Sequence, residues 1–192
     1  MLTKRSVAPQ RGFFPQPAYL VGCFAQDGRP IFSLKTWVTF AGLNPPTLMF
    51  VGRNARKKAT TLRILEAGVF SASLVIEDLL EAADYCGSVS GLTADKVADT
   101  GMAWERGAVL DVPLPSLSPW TYECRVARTL DWGDATIFFG EVENILVDEG
   151  IGTAERGTVD IPALKPVIYA PTAYYSLGRR LMEQGQSLKT GR

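Results

Sequence analysis

WTYECRVARTL (residues 120–130), DWGD (131–134) and ATIFFGEVENILV (135–147) decide the fold. Two long runs of β-branched and aromatic residues flank a glycine-containing turn, the signature of an antiparallel hairpin. Similar runs extend outward from it. Tyr19–Phe24 and Ile31–Phe40 flank Asp27-Gly28 as a first hairpin. The turn Asn44-Pro45-Pro46 feeds a strand over Thr47–Val51, and Phe70–Val75 and Val167–Tyr169 read as further strands. Helices are few. One is expected over Lys57–Ala67, with Leu62, Ile64 and Leu65 on one face and Gly68 as its C-terminal cap. A short one runs over Asp78–Tyr85 and ends at Cys86-Gly87. A third starts near Thr93, which caps it with Asp95 in the first turn, and a terminal helix covers Tyr174–Met182. Many short strands with few inserted helices give a mainly β, mostly antiparallel protein, a barrel or a sandwich.

Its length of 192 residues suits one domain over 1–192, with a Pro-rich N-terminal arm (1–17) and a polar C-terminal tail (183–192). Twenty Lys and Arg balance twenty Asp and Glu, so no net charge draws the chain to nucleic acid, and any phosphate binding must be local. The absence of histidine removes Ser-His-Asp and Cys-His hydrolysis, His-ligated zinc and His-ligated haem. Cys23, Cys86 and Cys124 are widely spaced and odd in number, which fits neither a disulfide framework nor a metal site. Prolines break the N-terminal stretch before any apolar signal-peptide core, and no run is long enough for a membrane span. A cytoplasmic protein without metal, membrane or nucleic-acid partners is expected.

Familiar motifs fail on inspection. Gly150-Ile-Gly152 has Glu155 where a dinucleotide fingerprint needs glycine, and Val89 occupies the nucleophile position of the Gly87–Gly91 elbow-like stretch. Two stretches remain informative. Arg53, Arg56, Lys57 and Lys58, followed by Thr60 and Thr61, put cations at the start of a helix, where the dipole disfavours them. A bound phosphate reverses that sign; a solvated basic face is the other open reading. SLKTWVT (33–39) interleaves small hydroxyl residues with a tryptophan, which suits a planar heteroaromatic ring or simply a polar-edged strand.

Six collinear blocks between residues 15 and 182 resemble the flavin reductase-like family, particularly its flavoredoxin branch. They are SLKTWVT with LNPPTLMFVGR, KKATTLRILEAGVFSASL, CGSVSGLTADK, ECRV, GDATIFFGEVENILVDE and PVIYAPTAYYSLG. The resemblance implies a split β-barrel of Greek-key type that binds FMN near a homodimer interface. It implies that Ser33, Lys35, Thr36, Trp37, Val38 and Thr39 hold the flavin ring. Phe50, Val51, Gly52 and Arg53 would pass the ribityl chain and phosphate, with Lys57 and Thr60 at the phosphate-side helix. Ser90, Gly91 and Lys96 would lie near the cofactor, and Tyr174 and Tyr175 toward the ring. The implied function is an FMN-dependent oxidoreductase moving hydride or electrons between a donor such as NADH or NADPH and flavin or an acceptor, which includes a redox partner protein or a monooxygenase. No side chain is assigned as catalytic, because flavin carries the chemistry. Two departures stand out: the family usually reads Gly-Asp-His where this chain has Gly133-Asp134-Ala135, and Ser73 replaces a usual asparagine. The first favours an alternative, an FMN-binding electron-transfer module without its own nicotinamide site.

Overall fold

A computed structural model describes residues 3–9, 14–53, 58–151, 153–154, 158–182 and 184–186. In chain order the strands are β1 (Gln16–Pro17), β2 (Tyr19–Phe24), β3 (Pro30–Lys35), β4 (Val38–Leu43), β5 (Pro46–Arg53), β6 (Val69–Leu74), β7 (Trp104–Arg106), β8 (Pro113–Pro115), β9 (Trp120–Trp132), β10 (Ala135–Val147), β11 (Thr153–Ala154), β12 (Thr158–Val159), β13 (Val167–Ala170) and β14 (Ala173–Ser176). The helices are α1 (Ala59–Ala67), α2 (Leu80–Ser88), which follows a 3₁₀ turn at Glu77–Leu79, and α3 (Lys96–Thr100).

Seven strands form one antiparallel sheet in the order β3-β2-β6-β9-β10-β5-β4. β3 and β4 are its two edges, yet only Thr36 and Trp37 separate them in the chain. So short a link spans roughly 10 Å at most, and the sheet must curl until its edges meet at that corner. The result is a barrel that is not closed: no ladder joins β3 to β4, and the Val51 N–H donates to the Trp37 carbonyl at 3.0 Å across the corner. The continuous Ile31–Phe40 strand expected from sequence is therefore two strands on opposite edges. Propensity favours extended backbone throughout that run but does not choose a pairing partner.

Side chains alternate across each strand, so the barrel has an inner and an outer apolar face. Inside, Val21, Cys23, Leu48, Phe70 and Cys124 surround Phe50 and Phe138, whose rings stack at 4.6 Å. Outside, Leu20 and Phe32 pack against Leu79, Ala83 and Cys86 of the helical layer and Val167 of β13. Gly140 is a close-approach position, because a Cβ there would press into the Phe70 ring and stand 3.0 Å from Cys124 Cβ.

Three helix readings change. α1 ends at Gly68 in the left-handed conformation (φ 70°), as its sequence implies, but it buries Thr60, Thr61 and Ile64, leaving Leu62 and Leu65 half-buried. α3 is capped by Asp95, whose carboxylate accepts from the Ala98 N–H at 3.2 Å; the Thr93 hydroxyl instead donates to the Ser90 carbonyl. The terminal helix expected over Tyr174–Met182 is the strand β14, paired with β13 from Val167↔Ser176 to Ala170↔Ala173. The available edge of β13, together with the β-favouring Tyr174 and Tyr175, outweighs the weak helical pattern.

Candidate functional site

The inward face of β3 breaks the apolar pattern. In register, Val21 lies opposite Ser33 and Tyr19 opposite Lys35, so Ser33 and Lys35 point to the side on which β2 supplies core. There the split opens into a cleft of about 480 Å³, walled by β3, the Thr36–Trp37 corner, β5, Lys58, α2 and the β13–β14 hairpin. A smaller hollow of about 130 Å³ continues from it past Ser33, Lys58, Gly87 and Ser88 to Thr60, Ser90, Gly91 and Lys96.

Charge around the hollow is one-sided. No acidic residue lines it among the described residues. α1 begins there without a side-chain cap and without an acid in its first turn, and Lys58 occupies the N-cap position. Uncapped N–H groups beside cations and hydroxyls form an arrangement that an anion completes. Lys96 is buried, and its Nζ donates to the Phe32 and Cys86 carbonyls at 3.1 and 2.6 Å. Lys35 is 8% exposed, and its side chain makes no hydrogen bond or ion pair among the described residues. Its pKa is pushed down to about 8, first by burial and then by Lys58 and Lys96.

Across the cleft, the Tyr174 hydroxyl donates to Asp84 Oδ1 at 2.5 Å and ties β14 to α2. Thr172 holds a positive φ of 75° in the β13–β14 turn and also lines the cleft. Arg53 borders the large cleft, half exposed and 4.0 Å from Asp134. Ala135 lies directly opposite Arg53 in the β5–β10 ladder.

Of the sequence candidates, Ser33, Lys35, Thr36, Trp37, Val51, Arg53 and Tyr174 line the large cleft. Ser33, Thr60, Ser90 and Lys96 line the hollow, so Arg53 and Thr60 sit in different compartments. Val38 and Phe50 are core residues, Gly52 is buried between Val51 and Arg53, and Thr39 and Tyr175 are exposed outside both spaces. Lys57 lies outside the described residues. Lys58, Asp84, Gly87, Ser88, Tyr169 and Thr172 complete the walls. Of these, Lys58 carried a signal, as a member of the cationic cluster. The others come from α2 and the C-terminal hairpin through tertiary packing that no local pattern encodes.

This cleft at the split of an open barrel defines the class: the chain belongs to the flavin reductase-like family, whose domain model matches residues 11–178. Within that family it stands with the flavoredoxins. It is 29% identical to the flavoredoxin of Desulfovibrio vulgaris (Miyazaki F), with a TM-score of 0.87 over 99% of this chain and 100% of that one. The flavoredoxin from Methanosarcina acetivorans is 25% identical, with a TM-score of 0.83 over 96% and 100%. Nitrilotriacetate monooxygenase component B from Bacillus cereus shares the fold at 18% identity, with a TM-score of 0.84 over 95% and 100%. An uncharacterized protein of Aeropyrum pernix is 28% identical over 145 residues, 74% of this chain; the chain spans about half that relative's length. No helix among the described residues is long and apolar enough to cross a membrane, and none of their Cys, Asp and Glu side chains group to hold a metal.

Proposed function

We propose that this protein is an FMN-dependent oxidoreductase that passes hydride or electrons between a donor such as NADH or NADPH and flavin or an electron acceptor. The observation that carries the proposal is the acid-free cationic hollow at the uncapped start of α1, continuous with a larger polar cleft beside Trp37. Phosphate and ring ends of one mononucleotide match these two compartments. Lys58, Thr60, Ser90 and the first N–H groups of α1 would hold the phosphate, with Lys96 adding positive charge from its carbonyl-bound position. Ser33, Thr36 and Trp37 would position the ring, and bound flavin supplies the two-electron chemistry. The Tyr174–Asp84 hydrogen bond ties the outer wall of the cleft to α2.

Ala135, opposite Arg53, supports a second reading in which the protein is an electron-transfer module without its own nicotinamide site. In either case we place it in the cytoplasm as a homodimer, with the cofactor near the interface and a redox partner or monooxygenase as acceptor. Leu43 is 88% exposed on the β4 edge and Trp132 73% exposed at the tip of the β9–β10 hairpin, surfaces that a second subunit would cover.

Absorbance spectra of the protein with FMN, before and after NADH or NADPH, test the proposal. Bound flavin bleached rapidly by a nicotinamide supports the enzyme. Reduction only by dithionite or by a protein partner supports the module. Protein that leaves the spectrum and fluorescence of added FMN unchanged refutes both.

A further inference from the structure

Lys35 is more than a wall of the cleft. A lysine on the inward face of a barrel strand takes a charge out of water, and the protein gives it no counter-charge among the described residues. Its surroundings make matters worse for an ammonium. Lys58 ahead of α1, Lys96 on α3 and Arg53 on β5 all border the same connected space, and the first two lower the Lys35 pKa directly. Tyr19, across the β2–β3 ladder, is itself pushed toward its neutral form by burial. Buried Cys86 of α2 is held toward its neutral thiol by burial. The Asp84 carboxylate, which lines the far wall and accepts the Tyr174 hydroxyl, is not among the groups that shift Lys35, which are burial, Lys58 and Lys96. The group that would stabilise this ammonium must therefore enter the cleft from outside.

We infer that Lys35 is the redox-linked cation of the site: an anion in the cleft holds its amine as ammonium, and a reduced, negatively charged flavin does so most strongly. The inference rests on the proposed FMN reading. Two-electron reduction by hydride brings two electrons and one proton to the ring and leaves one negative charge. In the pH range where the oxidised site leaves Lys35 as a free amine, Lys35 answers by taking a proton from solvent, converting its amine to ammonium, with no further oxidant or reductant involved. At lower pH the ammonium is already in place. Lys35 is thus a positioning charge that tunes the potential rather than a group that transfers hydride.

The test is the midpoint potential of FMN-loaded protein, titrated with dithionite between pH 6 and 10, for wild type, Lys35→Met and Lys35→Arg. The wild type takes up one more proton per two electrons than Lys35→Met in a window that opens at or above pH 8. A tenfold change in a two-electron equilibrium is about 30 mV, so its potential falls about 30 mV more per pH unit there. At pH 7, Lys35→Met should tilt the redox equilibrium at least tenfold toward oxidised flavin, a potential about 30 mV lower. Lys35→Arg keeps the wild-type potential at pH 7 but lacks the extra slope. Equal potentials and parallel pH profiles in wild type and Lys35→Met overturn the inference. If Lys35→Met does not retain FMN, wild type against Lys35→Arg decides, and identical slopes overturn it. Failure of the wild type to bind FMN appears before any potential is measured and refutes the underlying reading instead.

Discussion

Without a ligand, the buried Lys35 should destabilise the fold it sits in. In water a lysine keeps its proton to about pH 10.4. In the folded protein, burial and two neighbouring lysines push Lys35 down to about 8. Between these values the unfolded chain binds more protons than the native one, so this group makes stability rise with pH there and imposes its full penalty below pH 8. At 1.36 kcal/mol per pKa unit, that penalty is about 3 kcal/mol at pH 7. Lys35→Met keeps the length of the side chain and removes the charge. The flavin-free variant should therefore be more stable than wild type by up to about 3 kcal/mol at pH 7, with the gap closing toward pH 10. Buried Cys23, pushed up to about 12, and Cys124, also raised by burial, act in the opposite direction at high pH, but equally in both proteins. Urea unfolding followed by tryptophan fluorescence at pH 7, 8, 9 and 10 measures the difference. A variant less stable than wild type at pH 7, or a gap that does not change with pH, would refute the reasoning.

Two further predictions concern the scaffold. Glu123 is fully buried, and its carboxylate accepts from the Ala108, Val109 and Leu110 N–H groups at 2.9, 2.9 and 2.5 Å and from Asn144 at 3.0 Å. Burial acts to raise its pKa, but those four bonds outweigh it and the net shift is downward. Glu123→Gln replaces one acceptor oxygen by an NH2 donor that faces N–H donors and should cost about 3 kcal/mol at pH 7 by urea unfolding. The difference should begin to shrink as pH falls below the ordinary glutamate value of about 4.3 and close only further down, where the folded wild type, its pKa held low, also loses its carboxylate. Gly140→Ala should cost about 1–3 kcal/mol, because the added methyl meets Phe70 and Cys124 in the closely packed barrel; a melting temperature equal to wild type would contradict that packing.

What the sequence revealed follows the reach of its physics. The β9–β10 hairpin and the Gly68 cap rest on adjacent residues and short-range periodicity, and both are present. The split at Thr36–Trp37 depends on which strands pair, and the β14 strand depends on the edge β13 offers; neither is a local property. The site divides the same way. Ser33, Thr36 and Trp37 stood out as hydroxyl or aromatic residues in one short run, Lys35 entered through the family resemblance, and the cationic helix start announced itself by charge against the dipole. Asp84, Tyr169 and Thr172 reach the cleft only once α2 and the C-terminal hairpin fold over it.

The phosphate site carries the central claim, and paired fluorescence titrations with FMN and riboflavin test it most directly. Lys58 stands at the uncapped start of α1 in the acid-free hollow, and a charge-assisted hydrogen bond contributes about 1.5–3 kcal/mol. Lys58→Ala should therefore weaken FMN roughly 10- to 150-fold while leaving riboflavin, which lacks the phosphate, within about twofold of wild type. Equal losses for both ligands, or no loss for either, would contradict the account.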